Sequence, residues 1–161
     1  MRLYEFNDRT YTWKWLNENE FPVPYEYFAY FSTPDDIEYY IGFNSYPSRV
    51  VDEAYMTGFA TMIDGEWRED NLNFLKNPRK VIMTVIDIIK DFGLRERPDL
   101  LYIGAVPGRE KIYKTIITRY AKELLTNGYV MGELERFNHP MYGQVVLIPL
   151  IKEELKENLN L

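Results

Sequence analysis

The stretch from Asn77 to Ala105, NPRKVIMTVIDIIKDFGLRERPDLLYIGA, most limits what this chain can fold into, because it reads as a helix followed at once by a fully buried strand. Apolar residues at Val81, Val85, Ile88, Ile89 and Phe92, widened by Ile82 and Ile86, recur at the spacing of a helix with one broad face in a core. Lys80, Thr84, Asp87 and Asp91 form the opposite stripe, expected to face water. Asn77 suits the N-cap, Pro78 suits the first helical position, where a missing N–H costs nothing, and Gly93 is the expected C-terminal stop. Leu100 to Ala105, bounded by Pro98 and Pro107, is too short for a helix and too continuously apolar for a half-exposed strand. It is expected in the middle of a sheet covered on both faces.

A chain of 161 residues reads as one domain, able to bury about two thirds of its unfolded surface without staples. There are no cysteines, which excludes disulfides, thiol catalysis and cysteine-ligated metal centres, and the single histidine, His139, excludes a two-histidine metal site. The opening MRLYEFNDRT lacks the apolar core of a signal peptide, and no run reaches the 18 apolar residues of a membrane span; the expectation is a soluble, cytoplasmic protein without a membrane partner. The 14 tyrosines and 9 phenylalanines fit a sheet-rich half packed with strand-forming residues.

The net charge of −6 is unevenly spread. Residues 1–77 carry 14 acidic and 6 basic side chains, whereas residues 79–122 carry 10 basic and 5 acidic ones. Such a separation steers anionic ligands toward one end of a molecule, and solvated helix faces produce the same count.

In chain order, Arg2–Asn7 and Tyr11–Leu16 read as short strands, and Asn17–Pro24 as a connector. Tyr25–Ser32 and Ile37–Asn44 flank the turn Thr33–Asp36 as a hairpin. Val50–Ile63 reads as a long strand, with Gly58 suggesting a bulge or a close approach of another backbone, and Glu66–Lys76 as a loop with one helical turn. After the central helix and strand, Arg109–Leu125 repeats apolar residues along one side and has Gly128 as its stop. Tyr129–Glu135 and Tyr142–Leu150 are the closing hairpin around a loop holding Asn138 and His139, and Ile151–Asn158 is a short charged helix. The sum is α+β: a single domain with a mixed, mostly antiparallel sheet and two main helices.

This order (β meander, helix, strand, helix, β hairpin) over roughly residues 25–150 resembles the GNAT acyltransferase superfamily. The segments VIMTVIDII and REKIYKTIITRYAKEL also look like those of small uncharacterised proteins of tailed bacteriophages. The GNAT resemblance implies an acyl-CoA pyrophosphate held by backbone N–H groups of a glycine loop at the start of the central helix, where unpaired donors and the positive end of the dipole converge. In this chain that place is Leu75–Lys76–Asn77–Pro78–Arg79–Lys80, without glycine and with Pro78 deleting a donor. The resemblance also implies a tyrosine general acid before the last hairpin. Leu124 occupies the matching position, and Tyr120 and Tyr113 are candidates lying earlier on the same helix.

Two arrangements fit the basic residues at the helix start. In one, Lys76, Asn77, Arg79 and Lys80, with Arg109 and Lys111 from the second helix, form an anion or cofactor site, since cations in a first turn oppose the dipole unless something anionic neutralises them. In the other they pair with Glu66, Glu69 and Asp70. Glu53 is a candidate general base, and its alternative is a solvated surface carboxylate, as for the acidic runs Pro34–Glu38 and Glu66–Asp70. Two functions follow. One is a phage-type accessory protein on a degenerate GNAT-like fold that binds a host or viral macromolecule, expected to be a protein, with nucleic acid not bound directly and with no cofactor. The other is an N-acyltransferase using acetyl-CoA or another acyl-CoA through an atypical loop.

Overall fold

A computed structural model describes residues 10–16, 26–63, 65–68, 78–105, 110–120, 122–140 and 143–160. They form an α+β fold with a mixed, mostly antiparallel sheet. The chain groups into two compact units, residues 1–44 with 58–89 and residues 45–57 with 90–161.

In the first unit, β1 (Lys14–Leu16), β2 (Tyr27–Ser32) and β3 (Glu38–Ser45) run antiparallel, and β3 neighbours β4 (Ala54–Ile63). The β2–β3 turn closes through Asp36 N–H donating to the Thr33 carbonyl, with Asp36 at a φ of 61°. Aspartate tolerates that region better than most side chains. β4 turns back at Gly65 into β5 (Glu66–Arg68), which pairs with Thr61–Ile63. The expected loop from Glu66 therefore begins as a strand, and its remainder, residues 69–77, lies outside the described residues, as does the expected strand Arg2–Asn7. Strand alternation gives β2 and β3 two faces. Phe28 and Tyr40 share one with Ala60, Leu16 and Tyr30, while Phe31 and Tyr39 stack on the other, 4.9 Å apart.

Helix α1 (Pro78–Glu96) supplies residues to both units. Val81, Ile86, Ile88, Ile89 and Phe92 are buried as the periodicity requires. Its polar stripe is not all wet: Thr84 is completely buried. The Tyr11 N–H donates to Thr84 Oγ1 at 2.8 Å, the Thr84 hydroxyl donates to the Lys80 carbonyl, and Trp13 Nε1 donates to Asp87 Oδ2 at 2.9 Å. Residues 11–13 are a strap seated on that stripe, so the regular strand is confined to Lys14–Leu16. Gly93 does not stop the helix. A Cβ there would lie 2.7 Å from Leu124 Cδ1, so glycine permits a close helix approach, and the left-handed position falls instead to Arg97, φ 50°, whose N–H donates to the Gly93 carbonyl.

In the second unit β6 (Leu100–Ala105) lies between β4, parallel through Ala54–Thr57, and β9 (Gly143–Lys152), antiparallel. Leu100, Leu101, Tyr102 and Ile103 are all buried, in keeping with a central strand. β9 pairs along its other edge with β7 (Tyr129–Met131) and β8 (Glu135–His139). One face carries Ala54, Leu100, Tyr102, Leu147 and Ile151, covered by Tyr46, Val50, Leu155 and Leu159. The alternate residues turn to the opposite face, where Tyr55 meets Phe92 of α1. The segment expected as one helix from Arg109 is described as α2 (Glu110–Tyr120) and α3 (Lys122–Thr126), and Gly128 follows with φ 94°. Several ends shift. Ser48 Oγ accepts from the N–H groups of Val50 and Val51, so β4 starts only at Ala54. β7 stops at Met131, Asn138 and His139 belong to β8, and β9 continues to Lys152 before a 3-10 helix (Glu153–Asn160).

Gly93→Ala gains about 0.5–1 kcal/mol of helix propensity but forces the methyl onto Leu124, which is fully buried and not free to yield. The expected result is a net loss of about 1–2 kcal/mol in urea unfolding, smaller in a Leu124→Ala background. Equal losses in both backgrounds would contradict the packing described.

Candidate functional site

The basic residues expected to converge at the start of α1 are only partly placed. Lys76, Asn77 and Arg109 lie outside the described residues. Arg79 is exposed, while Lys80 is partly buried, with its ammonium 4.6 Å from the centroid of the Tyr11 ring. That ring stacks on Phe31 at 5.7 Å, and Phe31 on Tyr39. A cation over an aromatic face contributes about 0.5–1 kcal/mol, which offsets the cost of its place in the first turn. Tyr39 is pushed up to about 12, first by burial and then by Tyr11 and Asp35. Lys111 is exposed on α2, where Tyr113 and Tyr120 also lie with side chains outside the description. The segment with Glu66, Glu69 and Asp70, the alternative partners of the helix-start cations, is likewise undescribed at its side chains.

Glu53 precedes β4 instead of lying on it, and its side chain is exposed. Its backbone is fixed, the N–H donating to Asp99 Oδ2 at 3.1 Å and the carbonyl accepting from the Leu100 N–H. Asp99 also holds Lys152, carboxylate to ammonium at 3.1 Å and carbonyl to backbone N–H at 3.0 Å. Beside it the Tyr129 hydroxyl donates to the Pro98 carbonyl, and the Arg97 guanidinium lies 4.9 Å over the Tyr129 ring. Burial pushes Tyr129 up to about 12; Arg97 opposes that, and Asp99, Glu154 and Glu53 add to it. Each member ties together ends of β4, β6, β7 and β9, so this network anchors strands. An open cleft of about 520 Å³ nearby is lined by Gly128, Glu153, Glu154, Lys156 and Glu157, side chains that water solvates.

A second polar group lies on the sheet face. Tyr102 is buried on β6, and its phenol is raised by burial first, then by the carboxylate of Glu135, which is exposed on β8, then by Tyr46. The Tyr46 ring stands edge-on to Tyr102 at 5.2 Å. None of these residues was singled out from the sequence. The available signal was Gly104, the one residue without a side chain in LLYIGA that stands inside the strand.

Among the described residues no group of three or more histidine, aspartate and glutamate side chains could hold a metal, and no helix is long and apolar enough to cross a membrane. The sequence matches no family model and no curated protein.

Two measurements probe these sites. Arg97→Ala removes the stacking but keeps a side chain in the left-handed region, whereas Arg97→Gly removes both. The glycine variant should be the more stable of the two by about 1 kcal/mol in urea unfolding; equal stability would contradict the positive φ. Tyr39 and Tyr129 keep their protons to about 12 when folded, against 10.0 for the ordinary phenol. The unfolded chain therefore releases protons first, and stability is full below pH 10 and lost as pH rises toward 12. Tyr39→Phe should flatten that decline, and a slope unchanged from wild type would show that Tyr39 ionises normally.

Proposed function

We propose that the chain is a phage-type accessory protein that acts by binding a host or viral macromolecule on a degenerate GNAT-like α+β fold. The partner in this reading is a protein in the host cytoplasm, and the net charge of −6 disfavours direct contact with nucleic acid. The order of elements supports the fold analogy: a meander, a long helix, a central strand in parallel with the last meander strand, further helices, and closing strands.

The observation that carries the binding reading over acyl transfer is the start of α1. A pyrophosphate cradle needs converging backbone N–H groups, and here the helix opens on Pro78, which has none to give. Lys80, the cation that would face the phosphates, has its ammonium on the Tyr11 ring. Both features make this helix end a poor anion receptor and a well-packed part of the first unit.

A thermal unfolding series with acetyl-CoA tests the reading. No stabilisation is expected. A ligand at 100 times its dissociation constant stabilises the folded state by about 2.7 kcal/mol, and a shift of that size would replace this reading with an acyl-CoA-dependent N-acyltransferase using an atypical loop.

A further inference from the structure

The turn that joins α3 to β7 carries the chain's single Asn–Gly step, Asn127–Gly128. Both residues are exposed, and the Asn127 N–H donates to the Leu124 carbonyl at 3.1 Å. Gly128 takes a φ of 94°, a left-handed conformation that glycine adopts without strain. Its carbonyl accepts from the Glu153 N–H at 2.7 Å, and its own N–H makes no hydrogen bond among the described residues. A Cβ built on Gly128 would lie 3.4 Å from Nη2 of Arg97, so a guanidinium stands against this peptide. That guanidinium forms no ion pair among the described residues, and its contact with the Tyr129 ring, 4.9 Å away, fixes its place.

We propose that Asn127 is a site of spontaneous deamidation and isoaspartate formation, with the backbone nitrogen of Gly128 as nucleophile. The nitrogen loses its proton to solvent and attacks Cγ of Asn127. The new N–Cγ bond closes a five-membered succinimide, the Cγ–Nδ2 bond breaks, and a solvent proton replaces the lost one on the departing ammonia. Water then opens the ring at either carbonyl, leaving an aspartyl or an isoaspartyl residue, so that one water is taken up for each ammonia released. Three features favour the attack here. Gly128 has no side chain to block approach to its nitrogen. That nitrogen has no hydrogen bond to surrender when it is deprotonated. The Arg97 cation stabilises both the amide anion and the oxyanion of the tetrahedral adduct. Other asparagines differ: Asn44 precedes Ser45 and its Oδ1 accepts from the Glu26 N–H, while Asn158 precedes Leu159 and its Nδ2 donates to the Val50 carbonyl. The product adds a negative charge beside Glu153 and Glu154, which line the same cleft as Gly128. In the isoaspartyl form the main chain also gains a methylene just before Gly128, which displaces the carbonyl that holds Glu153. Conversion therefore loosens the tie between this turn and the 3-10 helix, whatever partner the chain binds.

The test is a time course of the full chain, folded in mildly alkaline buffer, read by peptide mapping with mass spectrometry that separates aspartyl from isoaspartyl products. Asn127 should show the mass gain of an amide becoming an acid, tenfold or more faster than Asn44 and Asn158, with isoaspartate among the products. Asn127→Gln keeps an amide but would have to close a larger ring, and should abolish the signal. Arg97→Gln should slow conversion in the folded chain about fivefold, the factor that a unit charge a few ångströms away gives in water, and Arg97→Lys should restore most of it. Wild type and both Arg97 variants should react alike when unfolded in urea. A variant that merely lost its fold would react as the unfolded chain does, and comparison with the urea sample separates that case from the loss of a cation. An Asn127 that stays intact in the folded chain while it converts in urea overturns the proposal. So does a product without isoaspartate, or equal folded-state rates for wild type and Arg97→Gln. In the converted fraction the Glu153 amide should exchange faster with solvent, and an unchanged rate refutes the loosening.

Discussion

The second unit depends on the two-sided burial of β6. A strand paired along both edges and apolar on both faces is stable only if each face is covered, since every uncovered large side chain forgoes about 1.5–3 kcal/mol. Leu101 and Ile103 alternate with Leu100 and Tyr102, and all four are buried. One face meets this demand through Tyr46, Val50, Leu155 and Leu159. On the other, Phe92 of α1 meets Tyr55 of the neighbouring strand, and Gly93 lets Leu124 of α3 come close. The last turns of α1 thereby serve packing, and the helix cannot end where its glycine would allow. The stop moves to Arg97, which accepts an unfavourable φ and recovers part of the cost by stacking on Tyr129.

The first unit meets a different problem. A helix with a polar stripe of Lys80, Thr84 and Asp87 would ordinarily show it to water, yet here the strap from Tyr11 to Trp13 lies on it with matched polar partners. Burying Thr84 is tolerable because its hydroxyl both accepts, from Tyr11, and donates, to Lys80. The stacked rings of Tyr11, Phe31 and Tyr39 and the contact of Trp15 with Phe43 tie this strap to the strands. Part of the aromatic richness of the amino-terminal half is thus used in fixing the strap.

What the sequence could and could not disclose follows from which signals are local. The start of α1 at Pro78, the buried strand Leu100–Ala105 and the hairpin around Thr33–Asp36 were legible, since periodicity and turn chemistry act within a few residues. The strap was not: a polar stripe looks the same whether water or another segment supplies its partners. The stop at Gly93 was misread because glycine serves both as a left-handed cap and as a site of close approach, and only Leu124, 31 positions away, distinguishes the two. The influence of Glu135 on Tyr102 links β8 to β6, a proximity set by topology and invisible to spacing. Of the candidate anion residues, Lys80 is the most fully placed, and its ring partner Tyr11 likewise comes from a distant segment.

Gly93 and Gly104 stand in contrast. Glycine in a helix or strand interior costs about 0.5–1 kcal/mol relative to alanine, so each needs a compensating reason. For Gly93 the reason is visible in the Leu124 side chain, which occupies the space a Cβ would take. For Gly104 nothing occupies that space, φ lies outside the left-handed region, and a β-branched residue would suit the strand better. Internal packing therefore accounts for the first glycine and not for the second.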